Sequence, residues 1–189
     1  ELTDSEIKLT GNVDNYDGYQ YALRIADSDD VVISDNVFDV ALPARDVDWM
    51  SAGIDQDHVL AIGIQNGENL KITRNTINNN VIGQTAYTTL DTLMVSGTQN
   101  IEISYNNISQ IDAASTAVGY YNVVDLYSFT GTVEYNNIIV NTTTGAVGSG
   151  TAYPIQMNGP FTATVSYNNL TAISNGPTAG IMTANWAGI

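Results

Sequence analysis

Apolar and polar positions along this chain follow one short pattern that recurs through most of its length. An apolar residue is followed two positions later by another, three positions after that by an asparagine, and two positions later by a third apolar residue. The three full copies are Val31, Ile33, Asn36 and Phe38; Leu70, Ile72, Asn75 and Ile77; and Ile101, Ile103, Asn106 and Ile108. Two looser copies are Gly131, Val133, Asn136 and Ile138, and Ala163, Val165, Asn168 and Leu170, and a shortened first copy is Ile7, Leu9 and Asn12.

A second track of alternating apolar residues precedes most copies of this pattern. Its pairs are Leu23 and Ile25, Ile62 and Ile64, Leu93 and Val95, Val124 and Leu126, and Ile155 and Met157, with Ile181 at the start of a last member. Both tracks advance by about 31 residues per copy. Alternation with a period of two predicts short β-strands that turn one face inward, and no segment carries a sustained helical stripe.

Two strand tracks in step predict an all-β chain folded as a parallel β-solenoid. A unit of about 31 residues accommodates three short strands and three turns, and it buries its apolar face only by stacking on its neighbours. We expect one domain over residues 1–189 with six to seven coils and a long inter-strand insertion at about residues 39–61. The alternative is a β-sandwich, which needs Asn-Gly or Asp-Gly turns between paired strands. The Asn-Gly steps here recur on one track instead, at Asn66, Asn158 and Asn175.

The asparagine of each copy lies where a strand ends and the chain turns a corner. Asparagine tolerates the left-handed backbone conformation, and its amide both donates and accepts hydrogen bonds. We therefore expect the amides to bond from coil to coil as a ladder that consists of Asn12, Asn36, Asn75, Asn106, Asn136 and Asn168.

The spacing Ile-x-Ile-x-x-Asn-x-Ile resembles the parallel β-helix repeat of the pectate-lyase-like superfamily over about residues 5–185. This resemblance implies a right-handed β-helix. The Asn- and Thr-rich, cysteine-free composition, with Tyr-Asn-Asn at Tyr105, Tyr135 and Tyr167, is similar to that of archaeal and bacterial adhesin-like cell-surface proteins. A repeat of this kind indicates a fold and says little about function.

Composition narrows the range of functions. The 189 residues carry 5 Lys and Arg against 20 Asp and Glu, a formal net charge of −15, with no Cys. Such a chain repels nucleic acid phosphates and anionic lipids, and no apolar run approaches the roughly 20 residues that span a bilayer. Charged residues make up 13% of the chain, about half the usual share, and neutral polar residues dominate. We therefore expect an extracellular or cell-surface protein, and the absence of a signal-peptide pattern at Glu1 fits a mature form.

Residues 1–60 hold fourteen of the acids and three of the bases, so candidate charged sites concentrate there. Calcium, which prefers carboxylate and carbonyl oxygens, is the candidate cofactor at one turn, flanked by Asp27, Asp29, Asp30 and Asp35.

The insertion supplies further groups of the kind that a polysaccharide lyase or glycosidase uses, namely Arg45, Asp46, Asp48, Asp55, Asp57 and His58. These match no catalytic motif, and acids are sparse beyond residue 60. We expect no catalytic residue and keep the lyase or glycosidase as the second alternative.

Three tyrosines, Tyr105, Tyr135 and Tyr167, each precede a ladder asparagine. They should stack along one edge, either as a ladder that stabilises the solenoid or, together with Trp49, as a contact for glycans or for another subunit. N-glycosylation sequons begin at Asn107, Asn141 and Asn169, and an exported protein would carry glycans there.

The ends of the chain have no evident cap. The first repeat strand begins at Ile7, and residues 181–189 are apolar and uncharged. Open solenoid ends expose strand edges, so we expect either a piece of a longer chain or head-to-tail self-assembly into a filament or sheet. The leading hypothesis is a non-catalytic structural subunit of a cell-surface layer, sheath or filament. The first alternative is a carbohydrate-binding adhesin module.

Overall fold

A computed structural model describes residues 1–10, 20–43, 59–82, 89–113, 120–142, 151–173 and 180–184. Within these ranges the chain forms β-strands and no helix, and none of the described residues lies in a helix that could cross a membrane. The strands are β1 (Leu2–Thr3), β2 (Glu6–Thr10), β3 (Gln20–Ala26), β4 (Val32–Ser34), β5 (Val37–Pro43), β6 (Val59–Thr73), β7 (Thr76–Ile82), β8 (Thr89–Ser104), β9 (Asn107–Ala113), β10 (Tyr120–Tyr127), β11 (Thr130–Glu134), β12 (Asn137–Asn141), β13 (Thr151–Asn158), β14 (Thr162–Ser166), β15 (Asn169–Ile173) and β16 (Ile181–Ala184).

Parallel pairing joins each coil to the next. Strands β2, β5, β7, β9, β12 and β15 form a six-stranded sheet in chain order, and the others form a ten-stranded sheet. The larger sheet contains two of the three strand segments of a coil, because β6 pairs with β3 through its first half and with β4 through its second half. The fold is therefore a parallel β-solenoid, as the repeat predicts.

The number of coils is slightly lower than the six to seven expected from the repeats. In the six-stranded sheet, β5, β7, β9 and β12 each have a neighbour on both sides, whereas β2 and β15 lie at its edges. About four turns therefore have a neighbouring coil on each side.

The two apolar tracks occupy matching positions in successive coils. Leu23 pairs with Ile62, Ile62 with Leu93, and Leu93 with Val124. The same register places the second members of the pairs, from Ile25 to Met157, in a parallel stack. The core therefore consists of stacks with one side chain per coil, which include Ile33, Ile72, Ile103 and Val133 on one segment and Phe38, Ile77, Ile108 and Ile138 on another.

Two sequence-based assignments need correction. The first repeat is misaligned, because Leu9 pairs with Val40 rather than with Ile33, and Leu2 is the residue that pairs with Ile33. The insertion predicted at residues 39–61 is shorter, since residues 39–43 belong to β5 and residues 59–61 to β6. Its central part, residues 44–58, lies outside the described ranges, together with Arg45, Trp49 and the acids near them.

Candidate functional site

A ladder of buried asparagines runs along the inside of one corner. The side-chain oxygen of Asn106 accepts hydrogen bonds from the backbone N–H and the amide of Asn75, at 2.9 and 3.1 Å. Asn106 in turn donates its backbone N–H and its amide to the side-chain oxygen of Asn136, both at 3.0 Å. The same pattern links Asn36 to Asn75 and Asn136 to Asn168. The ladder is confirmed over Asn36, Asn75, Asn106, Asn136 and Asn168.

The first coil contributes a different residue to this ladder. The backbone N–H of Ser5 donates to the side-chain oxygen of Asn36 at 3.0 Å, so Ser5 stands at the position expected for Asn12. Asn12 itself lies outside the described residues. A serine at this corner breaks the asparagine repeat, which explains why the sequence pattern shifted to the next asparagine along the chain.

The residue before each ladder position lies outside, on what we call the corner column: Asp4, Asp35, Arg74, Tyr105, Tyr135 and Tyr167. All six adopt a left-handed conformation, with φ between 49° and 60°. Left-handed backbone is unusual for tyrosine and arginine, and here the neighbouring coils hold it through bonds such as Arg74 N–H to the Ser104 carbonyl oxygen, at 3.1 Å. The column therefore projects one side chain per coil from the same corner.

Arg74 and Asp35 form the charged part of the corner column. The guanidinium of Arg74 donates to both carboxylate oxygens of Asp35, at 2.7 and 2.6 Å. This hydrogen bonding lowers the pKa of Asp35 and raises the pKa of Arg74. Both groups are exposed, so water and salt weaken the pair and its contribution to stability is small. Its main effect is to fix the two side chains along the solenoid axis.

The tyrosines form the aromatic part of the same column. The rings of Tyr105 and Tyr135 are parallel within 3°, with centroids 5.0 Å apart, and those of Tyr135 and Tyr167 within 5°, with centroids 4.9 Å apart. The three residues remain 59%, 45% and 75% exposed. Because ring faces within the stack cover one another, the stack presents its ring edges to solvent, and the outer face of Tyr167 is the most open.

A second, outward asparagine ladder lies two residues from the tyrosines. The amide of Asn137 donates to the side-chain oxygen of Asn107, and the amide of Asn169 donates to that of Asn137, both at 2.8 Å. Asn107 and Asn169 are two of the predicted glycosylation sites, and a glycosylated amide nitrogen keeps one hydrogen for such a bond. The third site, Asn141, lies at the end of β12 and is half-buried. Glycosylation at all three remains a prediction.

The acids proposed as calcium ligands bond individually to the next coil. Asp27 accepts a hydrogen bond from the Asn66 amide at 2.8 Å, and Asp30 one from the Asn69 amide at 3.1 Å. Asp29 accepts a hydrogen bond from the backbone N–H of Glu68 at 2.9 Å, and Asp35 is paired with Arg74. Among the described residues no group of three or more His, Asp or Glu is arranged to hold a metal ion. The structure therefore does not bring these four carboxylates together.

A further column of side chains, which includes the acidic residue Asp125, lies on the first segment of the coils. Arg24, Gly63, Met94, Asp125 and Gln156 occupy one register position there, which we call the outward column. They alternate with core residues and so face away from the core. The column borders a pocket lined by Tyr21, Arg24, Gln65, Met94, Ser96 and Tyr127.

The pocket has a basic and aromatic side. The guanidinium of Arg24 lies 5.7 Å from the centre of the Tyr21 ring. The Tyr21 ring in turn packs over Gly63, where a Cβ atom would overlap it. A side chain at this position would therefore displace the ring.

Two carboxylates lie buried near the pocket. Asp91 and Asp125 are 0% and 1% exposed. Burial, followed by the charge of Asp91, raises the pKa of Asp125 to about 8. The hydroxyl of Tyr127 bonds to the Asp125 carboxyl, and burial together with the two acids raises the pKa of Tyr127. The amide of Asn122 donates to Asp91 at 3.0 Å.

A signal for this pair exists in the sequence. Asp91 and Asp125 lie within the apolar strand track, next to core residues Leu93 and Val124, where aspartate is disfavoured. The pattern alone does not reveal that both acids are buried.

Comparison with known proteins identifies no relative. No family model matches the chain, and neither a curated protein nor a solved structure matches it.

Proposed function

We propose that this chain is a non-catalytic structural protein of an extracellular assembly, a stiff subunit of a cell-surface layer, sheath or filament. The observation that supports this most is how the outward corner side chains are used. The Arg74–Asp35 pair, the tyrosine stack and the outer asparagine ladder each bond or stack between neighbouring coils. Side chains used in this way stiffen the solenoid along its axis and leave a regular face.

This regular face suits lateral packing against another copy. Tyr105, Tyr135 and Tyr167, with the outer asparagines beside them, present ring edges and amides that repeat at one strand spacing, about 4.8 Å. A second copy carries the same repeat and meets this face in register. Tyrosine is also enriched at protein interfaces. The similarity of the Asn- and Thr-rich composition, with its Tyr-Asn-Asn steps, to adhesin-like surface proteins agrees with the proposal, which includes end-to-end as well as lateral packing.

Electron microscopy of the natural assembly, and of the purified full chain at high concentration, tests the proposal. We expect ordered filaments or sheets, and weaker assembly in Tyr135→Asn, which removes the central ring but keeps a residue that tolerates the left-handed backbone. The matched control is Arg24→Gln, a change on another face, which should assemble normally. Circular dichroism verifies that both variants fold. A wild-type chain that stays monomeric at every concentration by light scattering refutes the proposal.

Carbohydrate binding is the second candidate function. It is favoured by the same strip, in which Tyr167 is 75% exposed with an open ring face, since an exposed aromatic face next to amides suits a sugar ring. Glycan-array binding and calorimetry with the wild type test it. Saturable binding that is lost in Tyr167→Asn, while assembly persists, would favour this function over a purely structural one. Absence of binding to any glycan would eliminate it.

A further inference from the structure

The tyrosines of the corner column have one backbone arrangement that repeats from coil to coil. Tyr105, Tyr135 and Tyr167 have nearly the same φ, at 58°, 57° and 55°. The backbone N–H of Tyr105 donates to the Glu134 carbonyl oxygen at 3.2 Å, and that of Tyr135 donates to the Ser166 carbonyl oxygen at 3.3 Å. The three side chains therefore leave matching backbone positions in successive coils, and their register is fixed by the pairing of the coils.

This arrangement brings equivalent atoms of neighbouring phenols close together. Adjacent rings are parallel within 3° and 5°, with centroids 5.0 and 4.9 Å apart. Because parallel rings on matching backbones are related by a shift along the solenoid axis, each ring carbon lies about 5 Å from its counterpart. The carbons beside the hydroxyl, Cε1 and Cε2, lie at the distal end of the side chain, where rotation about χ1 moves them most. A tilt of two exposed side chains thus brings these carbons into contact.

We propose that the tyrosine stack is a site of oxidative modification, at which neighbouring tyrosines couple into dityrosine and so cross-link successive coils. The oxidant is hydrogen peroxide with a haem peroxidase, which removes one electron and one proton from each phenol. The two phenoxyl radicals form a carbon–carbon bond between their Cε atoms, and the two displaced ring hydrogens move to the phenolic oxygens. Two tyrosines and one hydrogen peroxide thereby give one dityrosine and two water molecules.

Access and proximity both favour coupling at this stack. All three tyrosines are exposed, so the oxidant reaches their ring edges. Two radicals held in neighbouring coils meet within one molecule, which favours their coupling over encounters between separate chains. The chain has no cysteine, so no thiol competes for the oxidant. Tyr127 is exposed as well, but Ser96 and Asn158 occupy its register position in the adjoining coils.

A dityrosine link would join coils that are otherwise connected through hydrogen bonds and packing. A link from Tyr135 to either neighbour closes a loop of about 30 residues, and a covalent loop restricts the unfolded chain. The oxidised protein should therefore resist unfolding better than the untreated protein. This proposal goes beyond the structural function and does not depend on it, because the link forms within one chain.

Treatment of the dilute full chain with a haem peroxidase and hydrogen peroxide tests the site. We expect dityrosine fluorescence and, by mass spectrometry of the monomer band from a denaturing gel, peptides that link Tyr105 to Tyr135 and Tyr135 to Tyr167. Tyr135→Phe keeps the ring but lacks the phenol, so both links should be lost. Tyr105→Phe should keep only the second link and Tyr167→Phe only the first. The matched control is Tyr153→Phe, a change on β13, which should keep both.

Thermal unfolding measures the effect of the link on the coils. The oxidised wild type should melt several degrees above the untreated protein, whereas Tyr135→Phe should show no such increase. Circular dichroism before oxidation verifies that each variant folds. Four outcomes overturn the proposal: no dityrosine in the folded wild type, full fluorescence in Tyr135→Phe, links found only between separate chains, or a cross-linked wild type that melts like the untreated protein. A chain that never assembles but forms both links would contradict only the structural function.

Discussion

Replacing Asn106 by alanine should destabilise the solenoid more than almost any other single amide substitution. Asn106 is 2% exposed, and its side chain makes four hydrogen bonds. It accepts from the backbone and the amide of Asn75, and it donates to the Ile72 carbonyl and to Asn136, at 2.8–3.1 Å. The substitution removes these four bonds and leaves the backbone N–H of Asn75 buried without its partner.

The magnitude follows from the unsatisfied N–H and the three other lost bonds. A buried polar group left unsatisfied costs about 1–3 kcal/mol, and an ordinary hydrogen bond contributes about 0.5–1.5 kcal/mol, so Asn106→Ala should lower the free energy of unfolding by about 5 kcal/mol. The neighbouring substitution Asn107→Ala is the matched control. It removes one exposed ladder bond, of 2.8 Å to Asn137, which water replaces, so it should cost less than about 1 kcal/mol.

Urea unfolding followed by circular dichroism measures both changes, with the slope of the transition checked for constancy. Asn168→Ala gives a further comparison. Asn168 is only partly buried, and its amide nitrogen donates to the Val133 carbonyl, so we expect a loss between those of the other two variants. Equal losses for Asn106→Ala and Asn107→Ala would refute the reasoning, because burial would then have no role in the energy of the ladder.

Three further predictions concern other parts of the structure. Because the pKa of Asp125 is raised to about 8, the folded state binds its proton more tightly than the unfolded state. The free energy of unfolding should therefore fall as the pH rises from about 4 to 8, by up to about 1.4 kcal/mol per pH unit. Asp125→Asn should flatten that slope in urea unfolding, and an unchanged slope would assign the effect to another group. Gly63→Ala places a methyl group within the Tyr21 ring, so it should lower the melting temperature by several degrees and shift the tyrosine near-ultraviolet circular dichroism; wild-type behaviour would contradict the packing. Tyr135→Asn loses two ring stacks and Tyr167→Asn one, at about 0.5–1.5 kcal/mol each, so the first should cost about twice as much in thermal unfolding, and equal costs would show that the stack contributes nothing.

The repeat and its register could be predicted because each coil uses the same side chains at the same positions. The spacing of pairs such as Ile62 and Leu93, or Asn75 and Asn106, is enough to predict the solenoid. Prediction failed in the first coil, where Ser5 replaces the ladder asparagine and supplies only its backbone N–H. A pattern that depends on side-chain identity does not detect a position maintained by the backbone.

The candidate site was harder to predict, for a different reason. The density of acidic residues in the sequence predicts a calcium site at Asp27 and Asp30. In the structure each of these carboxylates instead bonds to one asparagine, Asn66 or Asn69. Asp125 stands among apolar neighbours and would be exposed in an open strand. Its burial results from tertiary packing that alternation cannot report, and burial is what makes its carboxyl chemically distinct.

Cryo-electron microscopy of the full chain after concentration tests the central claim most directly, that stacked, laddered coils make a structural subunit. The account predicts ordered filaments or sheets in which parallel strands repeat at about 4.8 Å along the solenoid axis. Dispersed single particles at every concentration, with the solenoid intact, would contradict it.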